Sequence, residues 1–431
     1  NDWYKFRAIE LKKNFPIEDI LPKREMVCVT RILKNQSLIT NEPFYDAIII
    51  GGGIAGSSFA IRISQLFDSS ELTFKKILII EKKSITHNSF KVGESLPAEA
   101  KPVLQLLGVL EKINDDTIQA SLLLRQQLCM GSNNLNGTNS IFNPYGNGFH
   151  LDRLLFEETL LKTIESRYGH IVKVIHGFNV ANLRFNFNGD FAEDKKFWEI
   201  TISKFDASGR RCCIRKYIPS LKRESFDKLL AFVCLFKSAY LNGLKDNDHN
   251  TLIESCCYGW FQTSQLPNNQ RVIIFFTDDD LVKQLPQRIK VVDEFVDFLR
   301  ENSHNINKIL KEFDYTPIEN RVMCMAANSE VLSEFASTKN QWISIGDSAI
   351  SFDPLSSQGI LTALYNSKFG SDVTFFQFFY DKSLKESGNK SNETDNNIQP
   401  FDIYTQKLTQ MFNNYKEEKI IFIIRSKDGP I

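Results

Sequence analysis

Residues 46–56 read Asp-Ala-Ile-Ile-Ile-Gly-Gly-Gly-Ile-Ala-Gly, and no other stretch constrains the fold as tightly. Ala47 to Ile50 form an unbroken apolar run of strand length, the pattern of a strand covered on both faces. Gly51-x-Gly53-x-x-Gly56 follows at once. In this spacing the first glycine permits a tight turn, the second lets backbone approach a pyrophosphate, and the third lets helix and strand pack closely. Ile54 to Phe67 carry helical spacing, so the free N–H groups around Ile54 and Ala55 would face the phosphates with a partial positive charge. Phe74 to Glu81 reads as a second strand that ends in an acid able to accept hydrogen bonds from ribose hydroxyls, with Lys82 beside it. This is a β-α-β unit of a parallel sheet.

The glycine unit alone does not separate NAD from FAD. Far downstream, Ile345-Gly346-Asp347-Ser348-Ala349 follows the apolar run 342–345. An aspartate leaving a strand there can bind a ribityl hydroxyl. The next loop, Asp353-Pro354-Leu355-Ser356-Ser357-Gln358-Gly359-Ile360, would open a helix whose N-terminus stabilises charge on a reduced isoalloxazine. Together the two motifs point to FAD.

Composition narrows the class. With 431 residues, 42% of them hydrophobic, the chain can build more than one domain. Lys+Arg and Asp+Glu each number 52, so no global field favours nucleic acid. Eight cysteines include two adjacent pairs and no C-x-x-C, which argues against a metal site or disulfide framework and for reduced thiols in the cytoplasm. The pairs Cys212–Cys213 and Cys256–Cys257 read as small buried hydrophobes, and Asp278–Asp280 as a solvated turn. No apolar run is long enough for a stable membrane span. The chain starts at Asn, which leaves a preceding leader open.

The expected architecture is α/β, a Rossmann-like FAD-binding domain with an interleaved antiparallel-sheet substrate domain and a C-terminal helical region. Residues 1–44 read as an N-terminal extension, and 45–180 as the first part of the FAD-binding domain. The substrate domain spans 181–335, with an FAD-domain segment inserted near 206–210. Residues 336–384 complete the FAD-binding domain, 385–400 form a polar, disordered insertion, and 401–431 close the chain. Residues 95–125 read as helical, 130–148 as loop, and Asp152 to Arg167 as an amphipathic helix. Ile171 to Phe205 and Arg271 to Thr277 read as strands, and 281–314 as helical. Phe197 to Phe205 must serve as both hairpin arm and buried strand, so a piece of the parallel sheet is expected to be missing there.

The order of these pieces resembles the flavin-dependent monooxygenases of the p-hydroxybenzoate hydroxylase fold, and more closely their halogenase-like branch. Lys91-Val-Gly-Glu94-Ser95-Leu-Pro97 is similar to that branch's flavin-side segment, Asp206-Ala-Ser-Gly-Arg210 to its Asp-Ala-Thr-Gly-Arg, and Gly346-Asp347 to its second FAD motif. Asn143 to Arg153, Gly259-Trp260 and Asp353 to Gly359 further resemble flavoproteins that modify tryptophan in a partner protein during quinone-cofactor biogenesis.

The resemblance implies FAD contacts from Gly51, Gly53, Ile54, Ala55, Gly56, Glu81, Lys82, Glu94, Ser95, Arg153, Gly346, Asp347, Pro354, Gln358, Gly359 and Ile360. His150, Trp260 and Ser357 are its candidate catalytic residues. It implies a monooxygenase that hydroxylates an aromatic, tryptophan-like substrate through an oxygen adduct at flavin C4a. NAD(P)H, or reduced flavin from a reductase partner, would donate electrons. The substrate would be an aromatic small molecule or a tryptophan-containing protein. Halogenation is disfavoured: residues 120–128 hold no lysine, only one tryptophan stands at 259–267, and Ser357-Gln358 replace the glutamate of the halide loop. Other readings are a flavin-binding maturation partner without turnover and a reductase of prenyl double bonds.

Overall fold

The computed structural model describes residues 31–34, 45–70, 76–83, 91–92, 94–114, 121–123, 125–129, 136–139, 143–186, 197–203, 213–239, 244–267, 269–386 and 399–427. Two strands and a helix carry the glycine unit: β1 (Ala47–Ile50), α1 (Ile54–Asp68) and β2 (Ile77–Glu81). With β5 (Val172–His176) they give a three-stranded parallel sheet in the order β1-β2-β5. The expectation of a first strand buried on both faces is corrected. β1 lies at the sheet edge among the described residues, Ile48 is half-buried and Ile50 is exposed.

Helix α4 (Arg153–Tyr168) begins as its sequence demands. Asp152 stands at the N-cap, and its carboxylate accepts from the Leu154 and Leu155 N–H groups at 2.9 and 3.2 Å. Helix α7 (Gly359–Glu386) starts at Gly359 as expected. α1 is sandwiched between α4 and α7, and Phe59, Ile61, Ile63 and Phe67 meet Phe156, Leu160, Leu364 and Phe375 in one core. Polar side chains lock the α1–α7 contact: Ser367 donates to the Ala55 carbonyl at 2.8 Å, and Arg62 pairs with Asp372 at 2.8 Å.

Among the described residues the second layer is an eight-stranded sheet. Its backbone runs β10-β6-β9-β8-β7-β3-β4, from β10 (Tyr315–Pro317), β6 (Leu229–Ser238), β9 (Gln270–Asp278), β8 (Gly259–Leu266), β7 (Asn250–Cys256), β3 (Arg125–Cys129) and β4 (Asn136–Asn139). Met323–Ala326 adds to β6. Alternation along β9 sorts its side chains by face. Ile273 and Phe275 pack with α5 (Val292–Asn302) and α6 (Asn305–Glu312), while Val272, Ile274 and Phe276 form a second apolar layer on the opposite face.

Several expectations change here. Among the described residues the span 95–125 is helical at Ala98–Ala100, α2 (Lys101–Leu106) and α3 (Leu110–Asn114), while Ser95–Leu96 and Ser121–Leu123 are strand. β3 and β4 place Arg125–Cys129 and Asn136–Asn139 in the large sheet, so part of the expected loop 130–148 is strand. Phe197–Ser203 pairs with Asn179–Asn186 and Arg31–Lys34 in a separate sheet, so it serves as a hairpin arm and not in the parallel sheet. β11 (Trp342–Ile343) is shorter than the expected run and pairs antiparallel with Ala336–Ser337. Cys257 is exposed, unlike the buried thiol expected. Gly93, Asp206 to Arg210, most of 1–44 and the core of the 385–400 insertion lie outside the described residues. Helix α8 (Pro400–Lys427) closes the chain, with Phe401, Tyr404, Leu408, Phe412 and Tyr415 buried along one stripe.

Candidate functional site

Gly51 leaves β1 with φ +103°, in the region where glycine is favoured. A Cβ on Gly56 would lie 1.9 Å from the Gly51 carbonyl oxygen, so the turn closes only with glycine at its third position. A Cβ on Gly53 would meet nothing nearer than Glu157 Oε1 at 3.9 Å. The backbone there is open rather than packed, and Gly53 lines a cavity of about 1680 Å³. No side chain caps α1, which leaves its first N–H groups directed at that space. Glu81 steadies the loop: Oε2 accepts the Gly52 N–H at 2.6 Å and Oε1 accepts the Lys83 N–H at 2.8 Å.

The two motifs meet. Gly346 has φ +58°, and a Cβ on it would stand 2.8 Å from the Ala55 Cβ and 3.6 Å from the Ala363 Cβ. The segment after β11 therefore touches the first turn of α1 and the first turns of α7. Gly51, Gly53, Ile54, Ala55, Gly56, Glu81, Lys82, Glu94, Ser95, Arg153, Asp347, Pro354, Ser357, Gly359 and Ile360 all line this cavity. Gln358 and Gly346 are not among its lining residues. Ser357 takes a left-handed conformation (φ 51°) between the turn Pro354–Ser356 and the start of α7.

Three cations crowd the loop beside Glu157, which is buried. Lys91 and Arg153 both pair with it, Arg153 Nε at 3.1 Å, and Arg153 also donates to the Val92 carbonyl. Burial, then Lys91, pushes the Lys83 ammonium below its ordinary range. Arg223 gave no sequence signal. Its guanidinium donates to the carbonyls of Asp347 (2.8 Å) and Ser348 (3.2 Å) and pairs with Glu330 at 2.6 Å, so it fixes the backbone that carries Asp347. The opposite wall is apolar: Ala231, Ile274, Phe276 and Met325 come from the large sheet, with Gln262 the polar exception.

No family model matches the sequence. LodB of Marinomonas mediterranea, provisionally named an FAD-dependent oxidoreductase, is 24% identical over 320 residues, 73% of this chain and 80% of LodB. Among solved structures, the flavin-dependent halogenase CmlS superposes with TM-score 0.61 at 19% identity over 79% of this chain; the chain spans 60% of CmlS. The myxobacterial chondrochloren halogenase CndH gives TM-score 0.65 at 18% identity, covering 88% of this chain and 82% of CndH. PqsL of P. aeruginosa in complex with 2-aminobenzoylacetate gives 0.57 at 11% identity, covering 80% and 88%. The chain has the fold of the flavin-dependent monooxygenases and halogenases.

In this flavin-dependent monooxygenase fold two of the three candidate catalytic residues sit away from the cavity. His150 is wholly buried, its Nε2 2.9 Å from Thr251 Oγ1, and it does not line the cavity. Burial foremost, then Arg271 and His249, lowers its pKa to about 3. The ring is held neutral behind the wall, outside the cavity's lining. Trp260 stacks on Phe276 (centroids 5.2 Å, 21° between planes), and it is Phe276 that reaches the cavity. Ser357 alone of the three lines it. The fold's wall is braced by a buried ion pair: Arg271, fully buried on β9, binds Asp246 at 2.7 Å, and Tyr315 donates to the same carboxylate at 2.8 Å. Among the described residues no helix is long and apolar enough to cross a membrane, and no group of three His, Cys, Asp or Glu could hold a metal.

Proposed function

We propose that the chain is an FAD-dependent oxidoreductase of monooxygenase type acting on an aromatic, tryptophan-like substrate. The observation that carries this reading is the contact of Gly346 with Ala55, which joins a pyrophosphate-type glycine loop and a second motif on one cavity. The residues present fit an extended dinucleotide. Gly53 leaves backbone bare at the cavity, and the volume exceeds the about 300–1,000 Å³ of ordinary ligand pockets, leaving room for a second molecule.

Gly51, Gly53 and the first N–H groups of α1 would hold the pyrophosphate of FAD, Glu81 a ribose, and Asp347 the ribityl chain. The segment from Pro354 to Ile360, with Glu94 and Ser95, would flank the ring. Bound FAD supplies the electron transfer and oxygen activation that protein side chains lack. The chain's own part is to orient the aromatic ring against Phe276, Ile274 and Met325 and to exclude water there. The start of α7, with Ser357 ahead of it, contributes a positive helix end at the reacting side. Electrons would come from NAD(P)H or a reductase partner, in a cytoplasmic setting where the free thiols Cys129, Cys234 and Cys324 remain reduced.

Purified protein should take up FAD with a band near ~450 nm and consume NAD(P)H and oxygen when an aromatic substrate is added. Protein that binds no added FAD would sink the reading; bound FAD without such consumption for indole or a tryptophan peptide would leave only a flavin-binding role. The halogenase neighbours support a second reading, halogenation, which requires product formation that depends on bromide or chloride.

A further inference from the structure

The C-terminal helix α8 sets Phe401 in the cavity wall and otherwise reaches the cavity through other residues. Tyr404, fully buried, donates from its hydroxyl to the Ser344 carbonyl at 2.8 Å, two residues before Gly346. Eleven positions on, three turns along the same stripe, the Tyr415 hydroxyl accepts the Asp353 N–H at 3.1 Å and lies 2.9 Å from Ser329 Oγ. One turn further, Lys419 Nζ contacts Asp227 at 2.7 Å, Asp353 at 3.2 Å and Ser329 Oγ at 3.3 Å. Asp353 uses its other oxygen to cap the turn Pro354–Ser356, accepting the Leu355 N–H at 3.0 Å. One carboxylate thus ties the helix to the turn.

We propose that Lys419 is a positioning residue for the cavity-facing loop 353–359, and that α8 sets the placement of both downstream cofactor segments. The electrostatics require a cation at this place. Asp227 and Asp353 are largely buried side chains, 14% and 15% exposed, brought to a common point. With no ammonium between them the two carboxylates repel, and the one on the shorter tether, the turn, is free to move. Burial works against charge on Lys419, yet Asp353 and Asp227 hold it protonated well beyond the ordinary range. Neutralising it would release Asp353, uncap Leu355 and let Pro354 and Ser357 drift from the cavity wall. The inference rests on the FAD reading.

The test uses the full chain titrated with FAD and read by the visible band and its circular dichroism. Lys419→Met should weaken FAD binding about tenfold or more, equivalent to about 1.4 kcal/mol, and change the flavin circular dichroism. Lys419→Arg should restore both. Should Lys419→Met fail to fold, Tyr415→Phe, which removes the hydroxyl that accepts the Asp353 N–H and meets Ser329 Oγ, should still weaken FAD and alter the same signal. Wild type that takes up no FAD removes the cofactor reading and this inference with it. Wild type that binds FAD while Lys419→Met or Tyr415→Phe matches it in affinity and spectrum, or Lys419→Arg as weak as the Met variant, overturns the positioning role alone.

Discussion

Replacing Gly346 by Ala tests the contact on which the site depends. At φ +58° an alanine pays the left-handed penalty of about 1–2 kcal/mol. Its Cβ would also stand 2.8 Å from the Ala55 Cβ, well inside the about 3.5–4.0 Å optimum for carbon atoms. Overpacking of that kind costs about 1–3 kcal/mol. The sum is about 2–5 kcal/mol of destabilisation. Urea unfolding followed by the fluorescence of Trp342, buried four residues away, reads it directly. Adding Ala55→Gly removes the overlapping atom and should return the packing part while leaving the conformational part. The same variant should lose FAD, because Ala55 and Asp347 both line the cavity. A Gly346→Ala protein within about 0.5 kcal/mol of wild type, the scatter of neutral surface changes, would refute the reasoning.

Gly53→Ala separates binding from folding. Its backbone (φ −72°, ψ −171°) suits alanine and the new methyl meets no close atom, so far-ultraviolet circular dichroism and the melting temperature should hold while FAD affinity falls about tenfold; unchanged affinity would remove the backbone approach at this position. Asp246→Leu leaves the fully buried Arg271 to its longer contacts with Asp248 (3.5 Å) and Thr263 (3.4 Å) and should cost about 3–5 kcal/mol in thermal or urea unfolding, most of it recovered by Arg271→Met in the same chain; a fully stable single variant contradicts the pair's role. His150 is held near 3 when folded, against about 6.5 when unfolded. Its contribution is therefore complete above pH about 6.5 and is lost as pH falls toward 3, at up to about 1.4 kcal/mol per pH unit. His150→Gln should flatten stability against pH between about 4 and 6, and an unaltered slope there would refute the buried neutral ring.

What could be read in advance divides along a physical line. The glycine turn, the Asp152 cap and the Gly359 start of α7 follow local rules of backbone and capping, so a few neighbouring residues suffice to announce them. Ser121–Leu123 and Arg125–Cys129 went the other way. Their leucines suit a helix, but pairing with Gly148–His150 and with Asn250–Glu254, remote in sequence, makes them strand. Phe197–Ser203 likewise satisfies its hydrogen bonds with Asn179–Asn186 instead of extending the parallel sheet. At the site, the approach of Gly346 to Ala55 and the reach of Arg223 to Asp347 have no local trace. The stripe Phe401, Tyr404, Leu408, Phe412, Tyr415 was a visible signal for a buried helix face, though not for what that face holds. His150 looked like a cavity residue because glycines surround it in sequence; in space β7 and β8 cover it.

The lock between α1 and α7 has a consequence for how this chain is made. Arg62 and Asp372 are separated by 310 residues, and at about 5–20 residues per second a ribosome needs about 15–60 s to deliver the second after the first. For all that time the apolar side of α1, with Phe59, Ile63 and Phe67, has no α7 to lie against. The half that carries the glycine loop is thus synthesised well before α7 and among the last to be finished. A nascent chain arrested before residue 359 should bind chaperones through that face, and should release them once α7 has emerged.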